Sequence, residues 1–348
     1  MTEHPITSAK GWGLFRWLFA VAFIIAVAAS GLLSGLLNQA GIFYLFFGSV
    51  AAALMGFTGR EIAAAIGAAF GRPGDGMSLG RSAYFWEAAA RNAWILGAFG
   101  SALNFTVALS RESGGIADIA NRMIQSLVVM LYGLVMAIIC LVPAMKLSSR
   151  AEKAGEVGEP GAAVEAGLLS RTSGRAFSID RIIGYVLFAA VIALTVAFLF
   201  EGRPQGGPLS FGKLLLHAPA YLIVFGGTIA VALFMGAATG ARAWTVGFAV
   251  TGLTGLFMGL LQALFGFVHR NIGEIASAAA FIISASSLSL LGLVGVAAPL
   301  EDREVMAGRR KGAGPVSRLF WVLLPLLTFL FLILAFIMIV TPMKQVAK

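Results

Sequence analysis

The chain has 348 residues, 59% of them hydrophobic and 12% charged, with a formal net charge of +9. That balance excludes a soluble globular domain, because several apolar runs reach the roughly 20 helical residues needed to cross a bilayer core of about 30 Å. The positive charge lies beside apolar runs on one side, so no nucleic-acid partner is expected, and a single cysteine, Cys140, excludes an intrachain disulfide.

Taken in chain order, nine apolar runs read as membrane spans: residues 17–37, 42–58, 93–109, 123–145, 182–200, 214–237, 244–267, 272–298 and 319–340. The first continues into a multi-span chain without a small-residue cleavage site, so it reads as a span rather than a removable leader. A cytoplasmic N-terminus puts Lys10, Arg16, Arg60, Arg72, Arg81, Arg91, Lys146, Arg150, Arg181, Arg242 and the segment 303–318 inside. The outer face then receives far fewer, among them Arg111, Arg203, Lys213, Arg270, Lys344 and Lys348. The asymmetry predicts a multi-pass protein of the cell inner membrane, N-terminus cytoplasmic and C-terminus outside.

Two cytoplasmic stretches interrupt the spans. Residues 59–92 contain the turn cluster "GRPGDG" (71–76) between two expected short helices. Residues 151–181 are rich in Gly, Glu and Ser and read as a solvated linker.

The chain also repeats itself. "GSVAAAL" (48–54) in the second span matches "GTIAVAL" (227–233) in the sixth. "IADIAN" (116–121) precedes the fourth span and "IGEIAS" (272–277) opens the eighth. In both, an isoleucine (Ile119 or Ile275) stands 24 residues before a proline (Pro143 or Pro299) expected to close the helix. "GAFG" (97–100) and "GLTG" (252–255) begin the intervening spans. The expected architecture is all-α: four-helix units at 1–150 and 182–305, the linker 151–181, then a basic segment and ninth helix over 306–348.

"LYGLVMAIICLVPAMKL" (131–147) resembles the last helix of the MotA/TolQ/ExbB proton-channel family, with its Leu-Tyr-Gly turn, later proline and exit Lys-Leu. "GAFGSAL" (97–103) resembles the small-residue helix before it, and "HAPAYLIVFGGTIAVAL" (217–233) resembles the second helix of stator subunits. The resemblance implies homo-oligomeric rings around a single-span partner of the MotB, TolR or ExbD type. Ion flow past that partner's aspartate would then become rotation or force. Gly133 would allow close packing, Tyr132 would offer a hydroxyl at the seam, and Pro143 with Lys146 would mark the cytoplasmic exit. Small-residue faces let helices approach closely, and hydroxyls hydrate a narrow path.

The family pattern is incomplete. Where the family has a threonine pair before the Leu-Tyr-Gly turn, this chain has Val129 and Met130, matched in the second unit by Ala285 and Ser286. Ser101 stands where the preceding helix normally carries threonine, and the second unit has Leu256 there. The ninth helix, "LLPLLTFLFLILAFIMIVTP" (323–342), resembles an ExbD- or TolR-type partner helix with Thr328 in place of the aspartate. Its other reading is an ordinary packing helix.

Polar positions expected inside the bilayer are Ser101, Asn104, Thr106, Gln125, Ser126, Thr254, Gln262, Ser284, Ser286 and Ser287. Candidates for an ion path or a packing face are Ser101, Asn104, Thr106, Gln125, Tyr132, Gly133, Thr254, Ser286, Ser287 and Thr328. Glu87, Asp118, Glu274, Arg111, His269 and His217 fall at span ends, where interfacial solvation explains them. The absence of a paired histidine, nucleophile–base set or phosphate-cradling loop leaves no expectation of catalysis, metal or cofactor. Three functions remain open: an ion-driven stator subunit, a non-conducting scaffold, and a small-solute transporter built on parallel repeats.

Overall fold

A computed structural model of the chain describes residues 39–71, 78–109, 116–153, 179–200, 218–235, 240–269, 271–308 and 315–346. The first expected span, His217, Arg111 and most of the linker (154–178) lie outside the described residues. Among the described residues the regular structure is helical throughout.

Helix α1, Gln39–Gly56, is apolar on all sides and ends at a sharp corner. The next helix, α2 (Gly59–Ala69), starts 114° away from it. Thr58 and Glu61 set that start as a capping box: the Thr58 N–H donates to Glu61 Oε2 at 2.7 Å, and the Glu61 N–H donates to Thr58 Oγ1 at 3.4 Å. Phe57 fixes the corner by packing edge-on against Phe85, ring centroids 5.1 Å apart.

Helix α3 runs from Leu79 to Leu109 without interruption. The expected second short helix is therefore not separate, because no breaker stands between Leu79 and the span, and it is the first turns of α3. Helix α4, Ile116–Lys153, carries Pro143 in its interior. The expectation that this proline closes the helix is corrected: one missing N–H costs a single backbone bond among many, and the helix continues for ten more residues.

Helix α5 is Ile179–Phe200. Helix α6 covers residues 218–234 as Ala218–Tyr221, a π-helical turn at Leu222–Gly226, and Gly227–Phe234. Helix α7 is Ala241–Val268. Helix α8 covers 272–306 as Ile272–Gly292, a π-helical turn at Leu293–Ala297, and Ala298–Met306. Pro299 does not close its helix either, since the carbonyl its ring would strike, four residues back at Gly295, lies in the wider π turn. Helix α9 is Pro315–Val346.

Five of these segments are long and apolar enough to cross a membrane: Met123–Glu152, Ile179–Ala197, Ala241–Val268, Ser277–Met306 and Arg318–Ala335. A sixth is added if α1 and α2 count as one bent span, while Ala218–Leu233 is apolar but shorter.

Helices α3 and α4 pair as one antiparallel hairpin, α7 and α8 as another. Glycine sets the spacing in both. In the first, a Cβ on Gly97 would lie 2.8 Å from Gly133 Cα, and one on Gly100 would lie 2.8 Å from Val129 Cγ1. In the second, a Cβ on Gly252 would meet Ser289, and one on Gly255 would meet Ala285. The helix preceding each hairpin docks through a glycine too, Gly48 against Leu96 and Gly227 against Thr251. With no hydrophobic gain between apolar helices in lipid, such close approach is what holds them.

Candidate functional site

Helix ends of both hairpins gather at one end of the bundle, around a fully buried ion cluster. Arg91, on the fourth turn of α3, sends Nη2 to both carboxylate oxygens of Asp302 on α8, at 2.8 and 2.9 Å. Its Nη1 lies 3.5 Å from Glu301 Oε2. The same guanidinium stacks over Trp321 of α9, 4.6 Å from the ring centre. Trp321 in turn donates Nε1–H to Glu301 Oε2 at 3.1 Å, and the Tyr84 hydroxyl donates to Asp302 Oδ1 at 2.9 Å.

The side chains of Glu301 and Asp302 are 0% exposed, and that of Arg91 only 8%. Removing such charges from water is costly unless they pair and their remaining oxygens find donors. Here one guanidinium and two neutral donors share the two carboxylates. Burial, reinforced by the Asp302 carboxylate, pushes the Tyr84 phenol far above its usual range, so it stays a hydroxyl donor. Gly56 completes the enclosure: a Cβ there would fall 2.7 Å from Asp302 Oδ2. The cluster thus ties α1 and α3 to α8 and α9.

Sequence reasoning placed Arg91 only as a cytoplasmic charge and passed over Tyr84, Glu301, Asp302 and Trp321. A signal was present: Glu301-Asp302 is the sole adjacent acidic pair in the sequence, two residues beyond Pro299. It went unread because the proline was expected to end the helix before reaching it.

The hydroxyl candidates sit on other turns of the helices. Ser101 and Ser126 face each other across the first hairpin, their Oγ atoms 2.9 Å apart, and Ser126 also donates to the Ser101 carbonyl at 2.7 Å. The matching positions of the second hairpin hold Leu256 and Ile282, both apolar and buried. Thr106 donates to Ala102 O and Asn104 to Gly100 O, both at 2.9 Å within α3. Ser286 donates to Ile283 O at 3.0 Å, while the buried Ser287 and Thr328 hydroxyls have no hydrogen-bond partner among the described residues. Tyr132 is half-buried, and Gly133 sits against Gly97.

Two expectations of burial are corrected. Gln125 and Thr254 are exposed, because each lies one residue away from the face its helix turns into the hairpin (Ser126 and Gly255), and Thr254 simply returns its hydroxyl to Val250 O at 2.9 Å. Gln262 is half-buried and reaches Ser277 across the second hairpin at 3.3 Å. Of the span-end groups, Glu87 pairs with Arg318 at 3.2 Å, and exposed His269 and Glu274 contact their own turns. Among the described residues, no three His, Cys, Asp or Glu side chains converge as a metal-binding group.

Sequence pattern, helix lengths and buried polar clusters together define a membrane-embedded protein whose described structure is all-helical. Compared with known protein families, characterised proteins and solved structures, the chain matches none.

Proposed function

We propose that the chain is a membrane subunit of the MotA/TolQ/ExbB stator type, carrying two tandem four-helix units in one polypeptide. In this reading it crosses the inner membrane nine times, N-terminus inside, and assembles around a single-span partner with an intramembrane aspartate. The observation that carries the reading is the shared register of the two hairpins. Setting Ile119 against Ile275 also sets Val129 against Ala285 and Gly133 against Ser289 without a gap. Setting Gly97 against Gly252 sets Leu96 against Thr251 and Gly100 against Gly255. The contacts Gly97–Gly133, Gly100–Val129 and Gly48–Leu96 then recur as Gly252–Ser289, Gly255–Ala285 and Gly227–Thr251. Independent packing of unrelated apolar helices gives no reason for three matched contacts.

A second reading, a scaffold that keeps this architecture without conducting, is favoured by what fills the place of the family's threonines. Val129 and Met130 are buried and apolar, and the Ser101 and Ser126 hydroxyls bond each other rather than face an open path.

The test is purification in mild detergent with whatever co-purifies, followed by mass measurement and imaging. A ring of these chains around a single-span protein bearing an intramembrane aspartate is the expected result, and a lone monomer or dimer would sink the stator reading. Proton flux with Ser101→Ala and Ser286→Ala then separates the conducting from the scaffolding form.

A further inference from the structure

The corner between α1 and α2 is braced by charged groups from two other helices. Asp180, in the first turn of α5, accepts the Gly59 N–H at 3.1 Å. Arg303 of α8 donates Nη2 to Met55 O, a carbonyl at the end of α1, at 3.3 Å. One turn along α5, Gly184 lies on the backbone of Leu54 and Met55, where a Cβ would come within 2.7 Å.

This bracing sets Arg181 of α5 and Arg303 of α8, both half-buried, beside the same corner: Asp180 and Gly184 flank Arg181 against Gly59 and against Leu54 and Met55, and Arg303 bonds the Met55 carbonyl. Each has its Nε enclosed by protein with no hydrogen-bond acceptor among the described residues. The carboxylates that act on Arg181 are Glu61 and Asp180, and both are engaged elsewhere. Glu61 accepts from the Thr58 N–H at 2.7 Å and the Thr58 hydroxyl at 3.0 Å, and Asp180 accepts from Gly59. Two half-buried guanidiniums beside one corner, each with a donor that lacks an acceptor among the described residues, form a site for an anion.

The neighbouring surface indicates which anion. Ile179, Ile183 and Val186 follow one face of α5 and are 76%, 51% and 63% exposed. On a helix that spans the membrane, that face is covered by acyl chains. We propose that Arg181 and Arg303 bind the phosphate of an anionic phospholipid whose chains lie along this face of α5. Basic pockets between spanning helices at a membrane boundary are suited to such headgroups. The lipid would brace the α1–α2 corner from outside, as Asp180 and Arg303 do from within.

The experiment is native mass spectrometry of the purified, delipidated chain titrated with phosphatidylglycerol, phosphatidylcholine or inorganic phosphate. The expected result is preferential retention of phosphatidylglycerol, weakened about fivefold in Arg181→Gln, the factor one basic side chain contributes beside an anionic surface. Arg150→Gln, at the exposed end of α4, should leave that retention unchanged, and Arg181→Lys should keep most of it. Equal retention of the two lipids, or an unaltered Arg181→Gln, would overturn the proposal. Displacement of phosphatidylglycerol by millimolar inorganic phosphate would reassign the site to a free anion and overturn the lipid reading. Should Arg181→Gln fail to fold, Arg181→Lys still decides, because loss of retention with the charge kept would speak against a phosphate held electrostatically.

Discussion

Gly97 and Gly133 meet backbone to backbone: a Cβ on Gly133 would sit 2.6 Å from Gly97 Cα and 2.8 Å from Ala93 O. Neither atom can rotate away, so any side chain must push α3 and α4 apart. Gly133→Ala should therefore destabilise the protein by about 1–3 kcal/mol, the usual cost of overpacking. A melting series in detergent checks this, and Gly97→Ala should cost as much with little further loss in the double variant. Full additivity would show that the two glycines do not share one contact.

Arg91 holds Asp302 and stacks on Trp321. Arg91→Met leaves two fully buried carboxylates without their cation and should cost about 3–5 kcal/mol, enough to lower yield and monodispersity. Adding Glu301→Gln and Asp302→Asn removes those charges and should recover most of the folded fraction by size-exclusion chromatography. An equally unfolded triple variant would mean that Arg91 acts through packing.

Tyr84 donates to the Asp302 carboxylate from a buried position. Tyr84→Phe removes one hydrogen bond to a charged group, an expected loss of about 1.5–3 kcal/mol. Thermal unfolding measures it, and the loss should shrink to about 0.5–1.5 kcal/mol when Asp302 is also replaced by Asn, whose amide oxygen still accepts but carries no charge.

Thr328 and Thr251 are both buried, with opposite hydrogen-bonding states. Thr251 donates to Gly247 O at 2.8 Å and faces Thr228 at 3.0 Å, whereas the Thr328 hydroxyl has no partner among the described residues. Thr328→Val should raise stability by about 1 kcal/mol, and Thr251→Val should lower it by about the same amount. Matched melting curves test the pair. A destabilised Thr328→Val would indicate an acceptor, water or ion at that hydroxyl.

Ser101 and Ser126 join the first hairpin through two hydrogen bonds. A double-mutant cycle with alanine should give a coupling of about 0.6–1.7 kcal/mol, the range for hydroxyl pairs between membrane helices. No coupling would leave these serines free for an ion path.

The positions of the described helices were largely legible, because apolar runs and small-residue spacings act locally. Gly48, Ala52 and Gly56 recur every fourth residue along the sequence, and Gly48 and Gly56 meet Leu96 and Asp302. Helix ends were less legible: Pro143 and Pro299 read as terminators, yet both stand inside helices, Pro143 at the cost of one backbone bond and Pro299 because a π turn precedes it.

What the sequence determined by itself was the apolar, small-residue character of the chain, written in residue type and spacing. Which faces turn inward was decided by tertiary packing, and so Gln125 and Thr254 lie exposed beside buried neighbours. The ion cluster was likewise decided there. Arg91 and Asp302 stand 211 residues apart and become partners only where α3 and α8 bring their ends together. Pairing of charges across a fold depends on where helices end and which way they face, and a linear sequence records neither.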